Sequence, residues 1–199
     1  MALTDVYPIE SVAPEAWRNG GGTTRTLARR GDRWRVSLAS IERAGPYSRF
    51  PGIARASLVV SGDGITLTSD EAVVPLRPAI VETYDGDVAW HATLVGGPCA
   101  ALNVMTAKGR YRTTVRLVDE PLVVRAGCTA IIVALGAGCT VADGDATPGR
   151  DVGPGHVLIS EHHARPLRLA PSGAVADDTR YIPCAALVTI EPAPVQEHP

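Results

Sequence analysis

One stretch of this chain returns later with its pattern kept. Ala56 to Leu67 reads ASLVVSGDGITL, and Ala130 to Val141 reads AIIVALGAGCTV. Each is a run of Val, Ile, Leu and Ala, a Gly-x-Gly turn and a second apolar run. The runs have strand composition, and the glycines supply the positive φ that a tight hairpin requires. Two more matches follow in the same order: Pro78 to Val81 with Pro154 to Val157, and Cys99 to Leu102 with Cys184 to Leu187. Self-similarity kept in order restricts the chain to two copies of one supersecondary plan. The division falls near residue 108, giving halves 1–108 and 109–199.

The rest of the chain agrees with an all-β plan. Trp34 to Ile41, Ala54 to Ser61, Thr113 to Val118, Thr129 to Leu135 and Cys184 to Ile190 are predicted strands, and Gly and Pro punctuate nearly every gap. No stretch of ten residues carries helical periodicity. A turn or two of helix is predicted near Ser11 to Trp17, with Pro14 at an early helical position. Ala, Val and Leu supply most of the apolar residues, with one Phe and three Trp, and small side chains suit closely packed sheets. Short strands of this number describe two antiparallel barrels or jelly rolls in tandem.

A net charge of −2 and the absence of any run of five basic residues argue against nucleic acid and anionic membranes as partners. Met1 to Glu10 carries two acids and no cationic region before an apolar stretch, so a cytoplasmic location is expected. Cys99, Cys128, Cys139 and Cys184 show no C-x-x-C spacing and are expected as free, buried small hydrophobes. A hairpin at Gly136 to Gly138 would place Leu135, not Cys128, opposite Cys139. Homodimer formation stays open.

The least ordinary segment is Trp17-Arg18-Asn19-Gly20-Gly21-Gly22-Thr23-Thr24. A phosphate cradle would follow a strand and open a helix, whereas Thr23 to Arg29 reads as a strand. Two readings remain. The loop simply needs flexible residues over a Trp17 anchor, or Trp17, Asn19, Gly21 and Thr23 line a pocket in which a ligand approaches backbone N–H groups. In the strand that follows, Arg35 and Ser37 share one face, and Trp34, Val36 and Leu38 share the other. The polar face meets solvent, or it looks into a small barrel where a ligand-binding arginine would sit. Gly45-Pro46-Tyr47-Ser48-Arg49-Phe50-Pro51-Gly52 and Arg55 come next; Tyr47 and Phe50 are candidates for an apolar wall, lid or plug.

In combination W-R-N-G-G-G-T-T, W-R-V-S-L-A, G-P-Y-S-R-F-P-G-I-x-R and L-N-V-M resemble the HutD/Ves family, over roughly Trp17 to Met105. The resemblance implies a bicupin fold and an association with bacterial histidine utilisation. The family pattern usually has an acidic residue two places before the Asn of its N-V-M strand, where this chain has Ala101. Asn103 and Met105 match, on one face with Cys99 and Ala101. If that face looks into the first barrel, Asn103 offers a ligand both a donor and an acceptor. The second repeat has Val188 at that place, so the polar pocket is expected in the first half, with the second as structural support.

Cupin enzymes generally hold a metal through a His-x-His pair, a carboxylate and a further His, and this chain has no His-x-His. Asp85 and Asp87 read as turn formers, and His91 stands alone beside them. Glu161-His162-His163, with His156 near, is the richest ligand cluster. Neighbours in a strand point apart, so a solvated edge is expected there and no metal. Neither a cofactor nor a catalytic constellation is expected. A small carboxylated metabolite held by Arg35, Asn19 and Asn103, with Arg55 added, is the leading expectation. A metal-free isomerase or lyase and a protein-interaction scaffold are the alternatives.

Overall fold

A computed structural model describes residues 6–144, 148–173 and 183–194. Strands dominate it, and the one helix among the described residues is a 3-10 turn at Ile9–Ser11. Among the described residues no helix is long and apolar enough to cross a membrane. The helical turn expected at Ser11 to Trp17 is therefore displaced. Pro8 precedes it at φ −66, and Glu15–Ala16 is a short strand instead.

Four antiparallel sheets account for the fold. The first large sheet orders Glu15–Ala16, Gly22–Arg30, Trp34–Ile41, Cys99–Ala107, Ile53–Ser61 and Val81–Asp85; a small sheet orders Gly45–Tyr47, Trp90–Leu94, Ile65–Thr68 and Val73–Leu76. The second large sheet orders Val6–Pro8, His156–Ser160, Thr129–Ala134, Ala185–Pro192 and Tyr111–Val118, and its small companion Leu122–Val124, Leu167–Pro171, Cys139–Asp143 and Arg150–Val152. Three apolar clusters fill the spaces between them. Ile41, Ile65, Leu67 and Leu76 lie in the first pair and Ile132, Leu158, Leu167 and Leu169 in the second. Trp34, Val36, Leu58 and Leu102 meet Ile131, Val133, Val157 and Val188 where the large sheets lie back to back.

The repeated strand–turn–strand is not a hairpin. Ile53–Ser61 belongs to the first large sheet and Ile65–Thr68 to its small companion, and Thr129–Ala134 and Cys139–Asp143 divide in the same way. The Gly-x-Gly turn carries the chain from one sheet to the other. Its glycines are needed for close approach as well as for φ: a Cβ on Gly64 (φ +98) would sit 2.1 Å from the Leu76 carbonyl oxygen, and one on Gly138 (φ +79) 2.4 Å from that of Val152.

Matching the repeats without a gap misplaces side chains by one residue, which exchanges faces. Ala100 pairs with Ser61 but Ala101 with Val59, so Val60 is an extra, bulged residue. No such shift interrupts the pairing of Thr129–Ala134 with Ala185–Pro192. Val188 does not take Asn103's place either, because Cys99 to Leu102 and Cys184 to Leu187 are one residue out of phase: Leu102 packs between the large sheets and Leu187 inside the second pair. Val188 packs between the large sheets, and its neighbours Leu187 and Thr189 point the other way. All four cysteines are free and buried as expected.

Candidate functional site

The face carrying Arg35 and Ser37 is turned inward. Ser37 is 2% exposed, and the same face continues into Ala39 and Ile41 of the first pair's core. The solvent-facing reading of this strand is thus excluded: the outward side of the sheet is covered by the second large sheet, which buries Trp34 and Val36.

Pairing register sets polar side chains in two rows. Arg35, Met105 and Arg55 stand abreast on three neighbouring strands, and Ser37, Asn103 and Ser57 form the next row. They bound a cavity of about 40 Å³, closed by Trp17, Thr24, Tyr47, Ser48 and Phe50. That volume suits one small polar group. Outside it opens a cleft of about 680 Å³ between Trp17, Asn19, Pro46, Arg49 and Phe50, with Glu15 at its edge.

Arg55 is 4% exposed. Its guanidinium carbon lies 4.7 Å from the Tyr47 ring centre, 4.9 Å from Tyr84 and 5.3 Å from Phe50. One of its nitrogens donates to the Ser48 carbonyl at 3.4 Å, while Nε is buried with no hydrogen-bond partner among the described residues. Ring faces compensate a cation only partly when water is excluded. Arg35 donates to Met105 Sδ at 3.2 Å and lies 5.5 Å from the Phe50 centre. Burial, then the neighbouring Arg55, lowers the Arg35 pKa, and Glu15 opposes the shift.

Ser57 Oγ donates to Asn103 Oδ1 at 2.6 Å, so the Tyr84 hydroxyl, 2.9 Å away, donates to Ser57. Burial, followed by the nearby Tyr47, raises the Tyr84 pKa. With its oxygen engaged, Asn103 has its Nδ2 hydrogens to offer, and one reaches the Ala101 carbonyl at 3.4 Å. The site is therefore rich in donors: two guanidiniums, a side-chain amide and the buried Tyr47 hydroxyl beside Tyr84. Among the described residues no carboxylate lines the inner cavity.

Of the expected site residues, Trp17, Arg35, Ser37, Tyr47, Phe50, Arg55, Asn103 and Met105 come together at this cavity. Asn19, Gly21 and Thr23 do not line it. Asn19 braces the glycine loop, accepting from Gly21 N and donating to the Pro46 carbonyl, both at 2.9 Å. Gly21 is buried beside it, and its carbonyl accepts from Glu42 N and Arg43 N. Thr23 pairs with Ser40, so Thr24, paired with Ala39, is the inward residue, and its hydroxyl accepts from Trp17 Nε1 at 2.8 Å. Trp17 meets Tyr47 edge-on at 5.8 Å. Alternation carried one strand further would have found Thr24. Ser57 and Tyr84 needed the sheet order.

Asp85 and Asp87 form the expected turn, Asp87 N donating to Asp85 Oδ1 at 2.8 Å, and both pair with Lys108. Asp87 Oδ1 also accepts from Gly52 N, tying down the loop that carries Phe50. No cluster of three potential metal ligands occurs among the described residues. Glu161 and His162 are exposed as expected of a solvated edge, but the three residues follow the strand rather than lie in it, and His163 is corrected to a buried position at 3% exposure. His163 Nε2 donates to the Arg125 carbonyl at 2.9 Å.

Known proteins with related sequences and folds support a family assignment. The chain is 34% identical over 110 residues to a 21.2 kDa protein of the hutC 3′ region of Pseudomonas putida, covering 52% of this chain and 58% of that protein. It is 33% identical over 123 residues to Protein Ves of Citrobacter koseri, covering 58% and 64%. The chain thus spans about six-tenths of the length of these relatives. In fold it is similar to HutD from Pseudomonas fluorescens SBW25, TM-score 0.78 at 22% identity, covering 96% of this chain and 99% of that one. It is also similar to a cupin 2 conserved barrel protein from Leptotrichia buccalis, TM-score 0.55 at 8% identity over 96% and 97%. A model of the HutD family matches residues 10–176, and the chain accordingly belongs to that family, with a cupin-like, all-β fold.

Proposed function

We propose that this protein is a bicupin that binds a small carboxylated metabolite in its first half, and through it senses or modulates histidine utilisation. The observation that carries this reading is Arg55, enclosed at 4% exposure among three rings with Nε unpaired among the described residues. A carboxylate in the small cavity would accept from Arg55 and Arg35 and from Asn103 Nδ2, supplying the charge that the lining lacks. The rest of the ligand would occupy the outer cleft, with Trp17 and Phe50 as apolar walls. The name of the P. putida relative, which places it beside hutC, supports the metabolic context.

Thermal-shift measurements with histidine, urocanate and formylated glutamate derivatives test the reading, followed by product analysis. Stabilisation without conversion is expected, lost in Asn103→Leu. Conversion would establish the metal-free enzyme instead. Absence of binding below about 1 mM, which is weaker than about −4 kcal/mol, overturns the ligand assignment.

A further inference from the structure

We propose that the second pair of sheets carries a ligand site of its own, taking a small molecule with two or more negative charges. The site is a cleft of about 310 Å³ between Tyr111–Val118, Ala185–Pro192 and the loop after Leu122–Val124. Its place in the fold corresponds to that of the first cavity. Trp34 pairs with Thr106 where the first strand pair opens, and Tyr111 pairs with Pro192 where the second does. Counted from those ends, Arg112, Thr114, Thr189 and Glu191 stand where Arg35, Ser37, Asn103 and Met105 stand. The inference does not rest on the reading of the first cavity.

The chemistry differs. Glu191 Oε1 accepts from Arg112 Nε at 2.7 Å and lies 3.6 Å from Arg125 Nη2, a looser contact in which the arginine is 82% exposed. Arg116 lines the same cleft and has no ion pair or hydrogen bond among the described residues. Arg116 and Arg125 line the cleft with Glu191, and Arg112 pairs with Glu191 from beside it, so among the described residues three guanidiniums and one carboxylate leave an excess of two positive charges there. Thr114 Oγ1 and Thr189 Oγ1, 2.6 Å apart, share one hydroxyl hydrogen, leaving the other for a ligand oxygen. Cys128 and Leu187 give the cleft an apolar floor.

The loop bearing Arg125 is held in place. His163 Nε2 donates to its carbonyl, Gly127 N donates to the His163 carbonyl at 2.9 Å, and His162 Nδ1 lies 3.3 Å from the Gly127 carbonyl. The adjacent histidines thus position the cationic loop. A dianion bridging Arg116 and Arg125 fits this geometry, whether its oxygens belong to phosphate or to paired carboxylates.

Titration of the full chain with inorganic pyrophosphate and, separately, malonate, followed by amide NMR shifts, tests the proposal. Saturable shifts are expected at Thr114, Arg125, Cys128 and Thr189 with at least one probe, and the probe that saturates names the ligand chemistry. Arg116→Glu combined with Arg125→Glu should weaken that binding at least about tenfold with the amide spectrum otherwise native. Arg43→Glu with Arg77→Glu, exposed and remote from the cleft, controls for net charge and should change it less than about threefold. Shifts that fail to saturate with either probe, shifts confined to the first cavity, or equal weakening in both double variants would overturn it.

Discussion

A guanidinium enclosed without a carboxylate is held by ring faces and one carbonyl, which makes Arg55 a poor investment for stability alone. Arg55→Met keeps the volume and removes the buried charge. It is expected to alter urea-unfolding stability by less than about 1 kcal/mol, while abolishing stabilisation by any carboxylate ligand. Asn103→Leu should behave differently, because it leaves Ser57 Oγ buried without its acceptor. A loss of about 1–3 kcal/mol is expected by the same measurement. At Cys139 the effect is one of pH. Burial, then Cys184 and Asp151, pushes the thiol up to about 12. The fold favours the neutral thiol, so its contribution is complete below an unfolded value of about 8.5 and is lost as pH rises toward the folded one. Urea midpoints should fall between about pH 9 and 11, and less steeply in Cys139→Ala.

At the scale of the element, the Gly-x-Gly turns were visible in the residues but their work was not. Glycine at a positive φ reads as a hairpin when two strands flank it, yet here the strands enter different sheets. What decides is contact. Gly64 lies against the Leu76 carbonyl and Gly138 against that of Val152, whereas Gly31 (φ +55) has open space around it. Gly64→Ala should therefore cost more than the ~1 kcal/mol of unfavourable φ expected at Gly31→Ala, reaching about 3 kcal/mol or more. Comparing denaturation midpoints of the two variants checks this. The Val60 bulge is equally illegible, since nothing in Leu-Val-Val-Ser distinguishes a residue that pairs from one that does not. Its consequence for the match of Ile53–Ser61 with Thr129–Ala134 is large, because a side-chain period of two turns a one-residue offset into a change of face. The likeness of Cys99 to Leu102 with Cys184 to Leu187 is out of phase on its own account, since Leu102 packs between the large sheets and Leu187 inside the second pair.

In the whole molecule the large sheets share an apolar layer, and Val6–Pro8 reinforces it by joining the second large sheet beside His156–Ser160. Tyr7 from that strand donates to the Leu27 carbonyl of the first large sheet at 2.5 Å, and Ile9 is buried in the shared layer. A chain lacking residues 6–12 should lose at least about 2 kcal/mol, mainly from exposing Ile9 and the sheet edge. Circular dichroism and tryptophan fluorescence followed through urea unfolding measure it. Tryptophans 17, 34 and 90 all lie in the first half, so fluorescence falling together with dichroism would show that the loss is transmitted across the layer.

Strand composition, glycine punctuation and alternation determined from the residues alone that this is an all-β chain. They also determined that Arg35 goes with Ser37, and Asn103 with Met105. The family motifs were legible for the same reason, being local. Only the tertiary structure decided that the polar face is interior, because alternation divides a strand into two sides without saying what covers either. The burial of Arg55 among rings, the replacement of Thr23 by Thr24 at the cavity and the joining of Ser57 and Tyr84 to Asn103 were decided in the same way. Each depends on which strands lie side by side, and that order is set by packing between segments far apart in the chain.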